Sequence, residues 1–330
     1  MRQMTFRFTF AASSQWALWI GGFFLSVQIG FAQDFPSRPV KIYGHGAGST
    51  ADYLSRYLGQ KLSEKWGQPV VIDNRSGAGG TIPGDMAAKS PADGYTLFMG
   101  HAGPMVSSTA LYPNLPYDPV RDFSGVSMVA TGVTVMMVHP SIPVNSVSEF
   151  LNFAKTRNDL NFASAGNGTI SHMTGELFKQ VTGIPLMHVP YKSAGQGLNS
   201  LLANETQMAF LSPVTAAAQL KSGKLKALLV SSSERFPGTP DVPGANESNI
   251  PGMDALLWFG LFAPAKTPRP IIQKIQQDVQ DILRRPEVRD AFLKQGIQAS
   301  ASSPDQLEDF VKNEIRRWTP IIKNANMKAD

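Results

Sequence analysis

Short apolar runs alternate with helix-like segments along the first third of the chain. Residues 40–43, 70–73 and 95–99 have the apolar pattern of strands, and residues 51–66 and 79–89 have the pattern of helices between them. This strand–helix–strand rhythm is typical of a parallel sheet covered by helices on both faces.

The rhythm starts again after a proline-rich passage at residues 112–120. A loop rich in Gly, Pro and Asn at residues 237–252 ends this second series. The predicted strands of the series are 125–130, 133–139, 160–163, 186–189, 207–211 and 225–231, and the predicted helices are 147–156, 171–182, 194–203 and 214–221.

One more strand and three helices close the chain, and each of these helices begins at or beside a proline, which suits a first helical turn. They are predicted at 258–263, 268–284, 286–296 and 304–324. Two α/β units with terminal helices predict a two-lobed α/β protein of mostly parallel sheets, in which the terminal helices cover the first sheet. The predicted first lobe is 33–132 with 259–330, the second is 133–258, and the chain crosses near 131–134 and 252–258.

The first 32 residues have the layout of a cleavable export signal, with the mature chain beginning near Gln33. Arg2 and Arg7 give a basic start, and fifteen apolar residues, 17–31, follow. The alternative is a membrane anchor, but fifteen residues reach only about 22 Å as a helix, against a hydrocarbon core of roughly 30 Å. We therefore expect a periplasmic protein.

Composition removes several classes of function. The chain of 330 residues has no Cys, which excludes a thiol nucleophile and any Cys-based metal or iron–sulfur site. The formal charge is +5, and subtracting the two arginines of the export segment leaves +3. No Lys/Arg run is present that would follow a phosphate backbone, so we expect no nucleic-acid partner.

Three glycine-rich junctions lead from a predicted strand into a predicted helix, at residues 44–52, 74–81 and 164–172. Helix N-termini at the carboxyl ends of strands present free N–H groups and suit anions. The first junction is also a weak match to a dinucleotide fingerprint, and for the first two a purely structural turn stays open. The third is the strongest candidate for ligand contact, because it concentrates polar side chains beside a helix start.

The sequence motifs give little indication of an enzyme. The five histidines show neither an i, i+4 pair nor HExxH, and neither a Gly-x-Ser-x-Gly elbow nor a P-loop is present. Ser171 and His172 form a conceivable nucleophile–base pair, although adjacent residues at a helix start more often cap and orient the loop. We predict no enzyme, cofactor or metal, with a periplasmic oxidoreductase or hydrolase as the alternative.

Several short stretches, taken in order, resemble the solute-binding receptors of tripartite tricarboxylate transporters, the family often called Bug receptors. The resemblance extends over about residues 35–322. It is carried by residues 67–75 with 77–80, 93–97, 115–119, 164–168 with 171–172, 188–192 and 258–264.

The resemblance implies a periplasmic binding protein of the Venus-flytrap type that holds a small carboxylate between its lobes and delivers it to a membrane permease. It further implies that the first and third junctions grip the carboxylate, with a third segment lining the cleft. The residues expected at the ligand are His45, Gly48, Ser49, Thr50, His101, Ala102, Ala165, Gly166, Asn167, Thr169, Ser171, His172 and Ser212.

The chain departs from the family pattern in two places. Gly44 and His45 replace a Pro–aromatic pair, and Ser49 replaces a glycine. Ser212 stands where many members carry an Asp that pairs with an amine or amide. The missing carboxylate argues against an amino-acid ligand and toward a di-, tri- or aromatic carboxylate. A monomer is expected, and a sensor kinase is an alternative partner to the permease.

Overall fold

The computed structural model describes residue 1, residues 3–5 and residues 35–329. The predicted export segment therefore lies almost entirely outside the described residues. Residues 35–330 form one compact unit. Within the described residues, no helix combines the length and the apolar composition that crossing a membrane requires.

The strands and helices follow the alternation read from the sequence. The strands are β1 (Val40–His45), β2 (Val70–Arg75), β3 (Thr96–His101), β4 (Phe123–Val133), β5 (Val135–Val138), β6 (Asn161–Ser164), β7 (Met187–Pro190), β8 (Met208–Leu211), β9 (Lys226–Val230), β10 (Leu256–Pro264) and β11 (Ile297–Ala299). The helices are α1 (Thr50–Trp66), α2 (Thr81–Ala88), α3 (Ser108–Leu111), α4 (Val147–Ala154), α5 (Ile170–Thr182), α6 (Ala194–Leu202), α7 (Pro213–Lys221), α8 (Arg269–Leu283), α9 (Pro286–Lys294) and α10 (Pro304–Asn324).

Two sheets organise the described chain. One is six-stranded with the order β11-β4-β10-β3-β1-β2, and the other is five-stranded with the order β7-β6-β8-β5-β9. We call the six-stranded sheet with its packed helices the first lobe and the five-stranded sheet with its helices the second lobe. The chain passes from the first to the second sheet between β4 and β5 and returns between β9 and β10.

Both sheets are mixed, which differs from the mostly parallel sheets predicted. Strand β1 pairs in parallel with β2 and β3, but β10 runs antiparallel to β3 and β4. In the second sheet β5 runs antiparallel to β8 and β9. The local apolar pattern identifies a strand but carries no information on the direction of its partner, and β4, β5 and β10 are the strands on which the chain changes sheets.

Local sequence explains where the helices that border the cleft begin and end. The Ser49 hydroxyl accepts from Asp52 N at the start of α1, and Gly67, at φ 65°, ends that helix. The Ser193 and Ser212 side chains cap α6 and α7 in the same way. These caps fix the N-termini of the helices immediately after strands, at the edge of each sheet where a ligand can approach.

The terminal helices cover the first sheet, as predicted. Both α8 and α10 pack against β4. Trp318 of α10 and Ile275 of α8 are fully buried in the cores on which they pack. The first sheet is thereby packed in two cores, and the core that contains Trp318 also includes second-lobe side chains such as Phe150 and Phe210.

Candidate functional site

A cavity of about 80 Å³ lies between the two sheets, at the carboxyl ends of β1, β3, β6 and β8. Its walls also include part of β10. The lining residues are His45, Gly46, Ser49, Thr50, Ala51, His101, Ala102, Thr134, Ala165, Thr169, Ile170, Ser171, Ser193, Ala194, Phe210, Leu211, Ser212, Thr215, Leu257, Trp258 and Phe259. We call it the main cavity. No Asp, Glu, Lys or Arg stands among these described residues.

Most of the residues predicted from the sequence meet in the main cavity. Those that line it are His45, Ser49, Thr50, His101, Ala102, Ala165, Thr169, Ser171 and Ser212. Gly166 instead lines a neighbouring cavity. Gly48, Asn167 and His172 line neither of these two cavities; Gly48 and His172 have roles in holding the loops, and Asn167 lies at a contact between the lobes.

The loop before α1 is held by the carboxylate of Asp52. Its Oδ2 accepts from Gly48 N at 2.9 Å, and its Oδ1 accepts from Asn74 Nδ2 at 2.5 Å and from Arg56 Nε at 2.6 Å. The Ser49 hydroxyl donates to the His45 carbonyl at 2.5 Å while it caps the helix. The polar side chains of this loop are thus used to shape it, and the loop offers the cavity its backbone N–H groups and Thr50.

Two histidine rings form one wall of the main cavity. The rings of His45 and His101 are stacked with centroids 5.2 Å apart, and each residue is 7% exposed. Gly103 N donates to His101 Nδ1 at 3.2 Å, so the proton of the neutral ring is on Nε2. That Nε2 is buried and has no hydrogen-bond partner among the described residues.

Burial keeps this pair neutral. Desolvation lowers the pKa of His45 to about 4. Desolvation and, after it, the neighbouring His45 lower the pKa of His101 well below its usual value. The wall therefore offers ring surface to a ligand, without a fixed positive charge at neutral pH.

The loop before α5 is held by hydroxyl groups. Ser171 Oγ accepts from Ala165 N at 2.9 Å and bonds with Thr169 Oγ1 at 2.9 Å. Thr169 Oγ1 donates to the Gly166 carbonyl at 2.7 Å. These hydroxyls, which the sequence suggested as ligand donors, close the loop on itself and leave the first N–H groups of α5 for a ligand.

The loop before α5, which we call the second loop, is also held by a pair of stacked imidazoles. The rings of His172 and His188 lie with centroids 3.6 Å apart at 14°. Gly168 N donates to His172 Nδ1 at 3.2 Å, and Ser164 Oγ lies 2.6 Å from His188 Nε2. His172 thus positions the loop and does not line the cavity.

Both supporting imidazoles are neutral as well. Burial, followed by the neighbouring His188 and Lys179, lowers the pKa of His172 to about 2. Burial, followed by Lys179, lowers the pKa of His188 to about 4. The stack at 3.6 Å is compatible with neutral rings, since two charged rings at that distance repel.

Helix N-termini from both lobes point to the main cavity. Its lining includes the N-cap or first-turn residues of α1 in the first lobe and of α5, α6 and α7 in the second. The first N–H groups of a helix lack intrahelical acceptors, and the helix dipole favours negative charge there. The arrangement of the main cavity therefore suits an anion, although no charged side chain of the described residues lines it.

Sequence reasoning missed part of this lining. Thr134 lies between β4 and β5, and Ser193, Ala194 and Thr215 lie at the starts of α6 and α7. Ser193 follows a strand and caps a helix, the pattern of the other junctions, but without the glycines that drew attention to them. Thr134 and the apolar wall from β8 and β10 come together only through the sheet crossing.

A second cavity of about 370 Å³ adjoins the first. It shares His45 and Ala165 with the main cavity. Its lining comprises His45, Ser76, Gly77, Ala78, Gly79, Ala165, Gly166, Pro190, Tyr191 and Lys192. Like the main cavity, it takes residues from both lobes.

The lobes contact each other beside these cavities. Ser107 Oγ, in a π-helical turn after β3, donates to the Gly168 carbonyl at 2.5 Å across the cleft. Gly79, at φ +61°, packs so closely that a Cβ there would lie 2.7 Å from the Asn167 carbonyl oxygen. The structure is therefore closed at the third glycine-rich junction. Among the described residues, no group of three or more His, Asp or Glu side chains is placed to hold a metal ion.

Comparisons with known proteins agree with this architecture. Residues 54–327 match the family model described as the tripartite tricarboxylate transporter family receptor. Protein BugT of Bordetella pertussis is 33% identical over 300 residues, which are 90% of this chain and 92% of BugT.

Two solved structures are similar over nearly the whole described chain. The structure of R. palustris Rpa4515 with adipate has a TM-score of 0.86 and 31% identity, covering 89% of this chain and 99% of that chain. The structure of MatC from Rhodopseudomonas palustris with bound malate has a TM-score of 0.80 and 32% identity, covering 87% of this chain and 100% of that chain. The two-lobed α/β fold predicted from the sequence is confirmed.

Proposed function

Because the chain belongs to the tripartite tricarboxylate transporter receptor family, we propose that it binds a small carboxylate in the main cavity and delivers it to a membrane permease. The observation that carries this proposal is the convergence of helix N-termini from both lobes on a cavity whose described lining has no charged side chain. A carboxylate bound there receives N–H groups from both lobes, so it binds the closed form better than the open form and drives closure.

The lining favours a carboxylate without an amine. An ammonium group needs an anionic partner when it is buried, and the described lining contains no Asp or Glu. Ser212, at the position where family members often have Asp, lines the cavity and uses its hydroxyl to cap α7. Apolar and aromatic side chains of β8 and β10 form part of the wall, which suits a hydrocarbon body.

We propose that the mature receptor is a monomer located in the periplasm. The basic and apolar pattern of residues 1–32 supports export and cleavage near Gln33. We propose lobes of 33–132 with 259–330 and of 133–258, supported by the two sheet crossings. The permease is the expected membrane partner, with a sensor kinase as the alternative.

Catalysis is not part of the proposal. The hydroxyls of Thr169 and Ser171 are engaged within their own loop, and the His172 ring accepts from a backbone N–H. A nucleophile requires a base within hydrogen-bond reach, and neither hydroxyl has a histidine partner. Ser164 Oγ does lie 2.6 Å from His188 Nε2, but Ser164 is fully buried and lines neither cavity, so this arrangement supports a receptor over the hydrolase alternative.

A thermal-shift screen tests the proposed function. The purified protein is heated with dicarboxylates, tricarboxylates, aromatic carboxylates and amino acids. A ligand at about 100 times its Kd stabilises the fold by about 2.7 kcal/mol, which raises Tm by several degrees. We expect shifts from non-amine carboxylates and none from aspartate or glutamate. A folded protein that responds to no carboxylate, or only to amino acids, contradicts the proposal.

A further inference from the structure

The second glycine-rich junction, residues 74–81, has no part in the main cavity, since none of its residues lines it. It packs instead against two other segments, the π-helical turn Gly103–Ser107 after β3 and the loop before α5. A Cβ on Gly103 would collide with the Gly79 carbonyl oxygen, and a Cβ on Gly79 would lie 2.7 Å from the Asn167 carbonyl oxygen. Two segments of the first lobe and one of the second thus meet backbone to backbone.

Ser107 donates a hydrogen bond across this contact. It is 1% exposed, and its Oγ lies 2.5 Å from the Gly168 carbonyl oxygen in the second lobe and 3.1 Å from the Gly103 carbonyl oxygen in its own turn. A hydroxyl group has a single proton, and the shorter distance assigns that proton to Gly168. If the lobes separate, the Gly103 carbonyl remains as an acceptor. The hydroxyl therefore has a partner in the open form as well as in the closed form, which suits a reversible contact.

The same bond orients the start of α5. The Gly168 carbonyl and the Thr169 N–H belong to one peptide unit, and Thr169 is the N-cap residue of α5. On its other side this peptide unit donates from Thr169 N to the Gly166 carbonyl at 3.3 Å. Ser107 thus holds the last peptide unit before the helix whose first N–H groups are proposed to bind the carboxylate. Ser107 lines neither cavity, so it does this without touching the ligand.

Glycines allow the two lobes to come this close. Gly168 is at φ 73°, and a Cβ there would lie 2.7 Å from Leu111 Cδ1 and 3.0 Å from Ser107 Oγ, both in the first lobe. Gly79 is at φ 61°, and the three heavy atoms nearest to a Cβ on it all belong to Asn167 and Gly168 in the second lobe. A side chain at either position would therefore meet the opposite lobe in the closed form and would be relieved on opening.

We propose that Gly79, Ser107 and Gly168 form an interlobe latch, which holds the closed form even without a ligand. Ser107 is a positioning residue: it acts on affinity through the population of the closed form and the orientation of the α5 N-terminus. The latch goes beyond the proposed carboxylate binding, because it is a property of the ligand-free chain.

Pulsed electron paramagnetic resonance between two spin labels tests the latch without a ligand. The chain has no Cys, so the double variant Val71→Cys, Met187→Cys takes labels at two known positions. These residues are 50% and 61% exposed, line neither cavity, and lie on β2 and β7, the edge strands farthest from the sheet crossings, where opening moves the lobes most. The protein is unfolded and refolded to remove any retained ligand. We expect a short-distance population that corresponds to the closed form.

Ser107→Ala in this labelled protein removes the donor. The ratio of closed to open molecules should fall about two- to tenfold, as the loss of one neutral hydrogen bond predicts. Ser108→Ala is the matched control, because Ser108 is also 1% exposed but donates to the Pro104 carbonyl at 2.8 Å within its own lobe. It should lower Tm by a similar amount and leave the distance distribution unchanged.

Gly79→Ala tests the close approach independently of the hydroxyl. The added Cβ meets the Asn167 carbonyl only when the lobes are closed, so the short-distance population should be lost almost completely. Gly67→Ala is its control: Gly67 is at φ 65°, so the backbone strain is similar, but no atom lies within 4 Å of the added Cβ. This variant should keep the distance distribution of the parent.

A parent protein that shows only the open distance overturns the latch, and so do Ser107→Ala and Gly79→Ala variants with the distances of the parent. A shift in Ser108→Ala as large as that in Ser107→Ala overturns the role of Ser107. If Ser107→Ala does not fold, the comparison of Gly79→Ala with Gly67→Ala decides. The proposed function fails separately, through a silent carboxylate screen.

Discussion

The two loops that meet at the main cavity resemble each other in sequence but are held by different chemistry. The first loop is organised by one carboxylate, Asp52, which accepts from a backbone N–H, an amide and a guanidinium. The second is organised by hydroxyl groups and by the stacked rings of His172 and His188. Both arrangements leave the N–H groups of a helix start free for a ligand.

This difference determines which side-chain change disturbs each loop. The second loop is supported by imidazoles that stay neutral, whereas the first loop is organised by a carboxylate, so removing that one side chain loosens it. Acid acts in both lobes, because burial lowers the pKa of His45 and His101 as well as that of His172 and His188. Neither loop offers a charged side chain to the main cavity, and the proposed anion site consists of backbone groups in both lobes.

The largest expected effect is the loss of stability in acid. The folded-state pKa of His172 is about 2, below the unfolded value of about 6.5, so the unfolded chain binds a proton first as pH falls. The stabilisation is present above about pH 6.5, and between about pH 6.5 and about pH 4 this residue alone accounts for a loss of about 3 kcal/mol. Urea unfolding across this range measures the slope.

The variant His172→Asn isolates this contribution. The Asn side-chain oxygen replaces Nδ1 as acceptor for Gly168 N but does not titrate. The variant should therefore lose less stability over the same pH range than the wild type. An unchanged slope would show that His172 is not the group responsible.

The next effect is on the first loop. Asp52→Ala removes a carboxylate whose side chain is 11% exposed and leaves Gly48 N and the Asn74 amide without it. We expect the free energy of unfolding to fall by about 2 kcal/mol and carboxylate binding to weaken. Asp309→Ala, at an exposed carboxylate on α10 with one local ion pair, should change stability little and serves as the control. If the two variants lowered stability and binding equally, Asp52 would not be the residue that organises the first loop.

The smallest effect distinguishes ligand donors from loop supports. The Thr50 hydroxyl lines the cavity without a partner among the described residues, whereas the Ser171 hydroxyl is bonded within its loop. Thr50→Val should weaken carboxylate binding by about 1 kcal/mol at an unchanged Tm, and Ser171→Ala should lower Tm together with affinity. Calorimetric binding and thermal melting of both variants measure this difference. If Thr50→Val lowered Tm and Ser171→Ala weakened binding at an unchanged Tm, Thr50 would be the loop support and Ser171 the ligand donor.

Local pattern predicts most of the elements and the loops of the site. The helix predicted at 304–324 is found as Pro304–Asn324, because its capping serine and first-turn proline are strong signals. The three-residue strand β11 and the π-helical turn after β3 carry no periodic signal and were missed. Thr134 and Ser193 enter the site only through the chain crossing and the packing of the lobes.

The sequence also did not predict which way individual groups of the site point. The sequence places His172 beside the ligand loop, but helix geometry turns its ring beneath the loop to meet His188. Likewise Asn167 lies at the loop tip, where its carbonyl meets Gly79 across the cleft. Such contacts join residues far apart in the chain, and a single sequence does not report them.

A crystal structure with the best carboxylate from the thermal-shift screen tests the central claim most directly. We predict its carboxylate oxygens within hydrogen-bond distance of backbone N–H groups at the start of α1 in the first lobe and of α5 in the second. A carboxylate bound outside the main cavity, or held there by contacts to one lobe alone, would contradict the account.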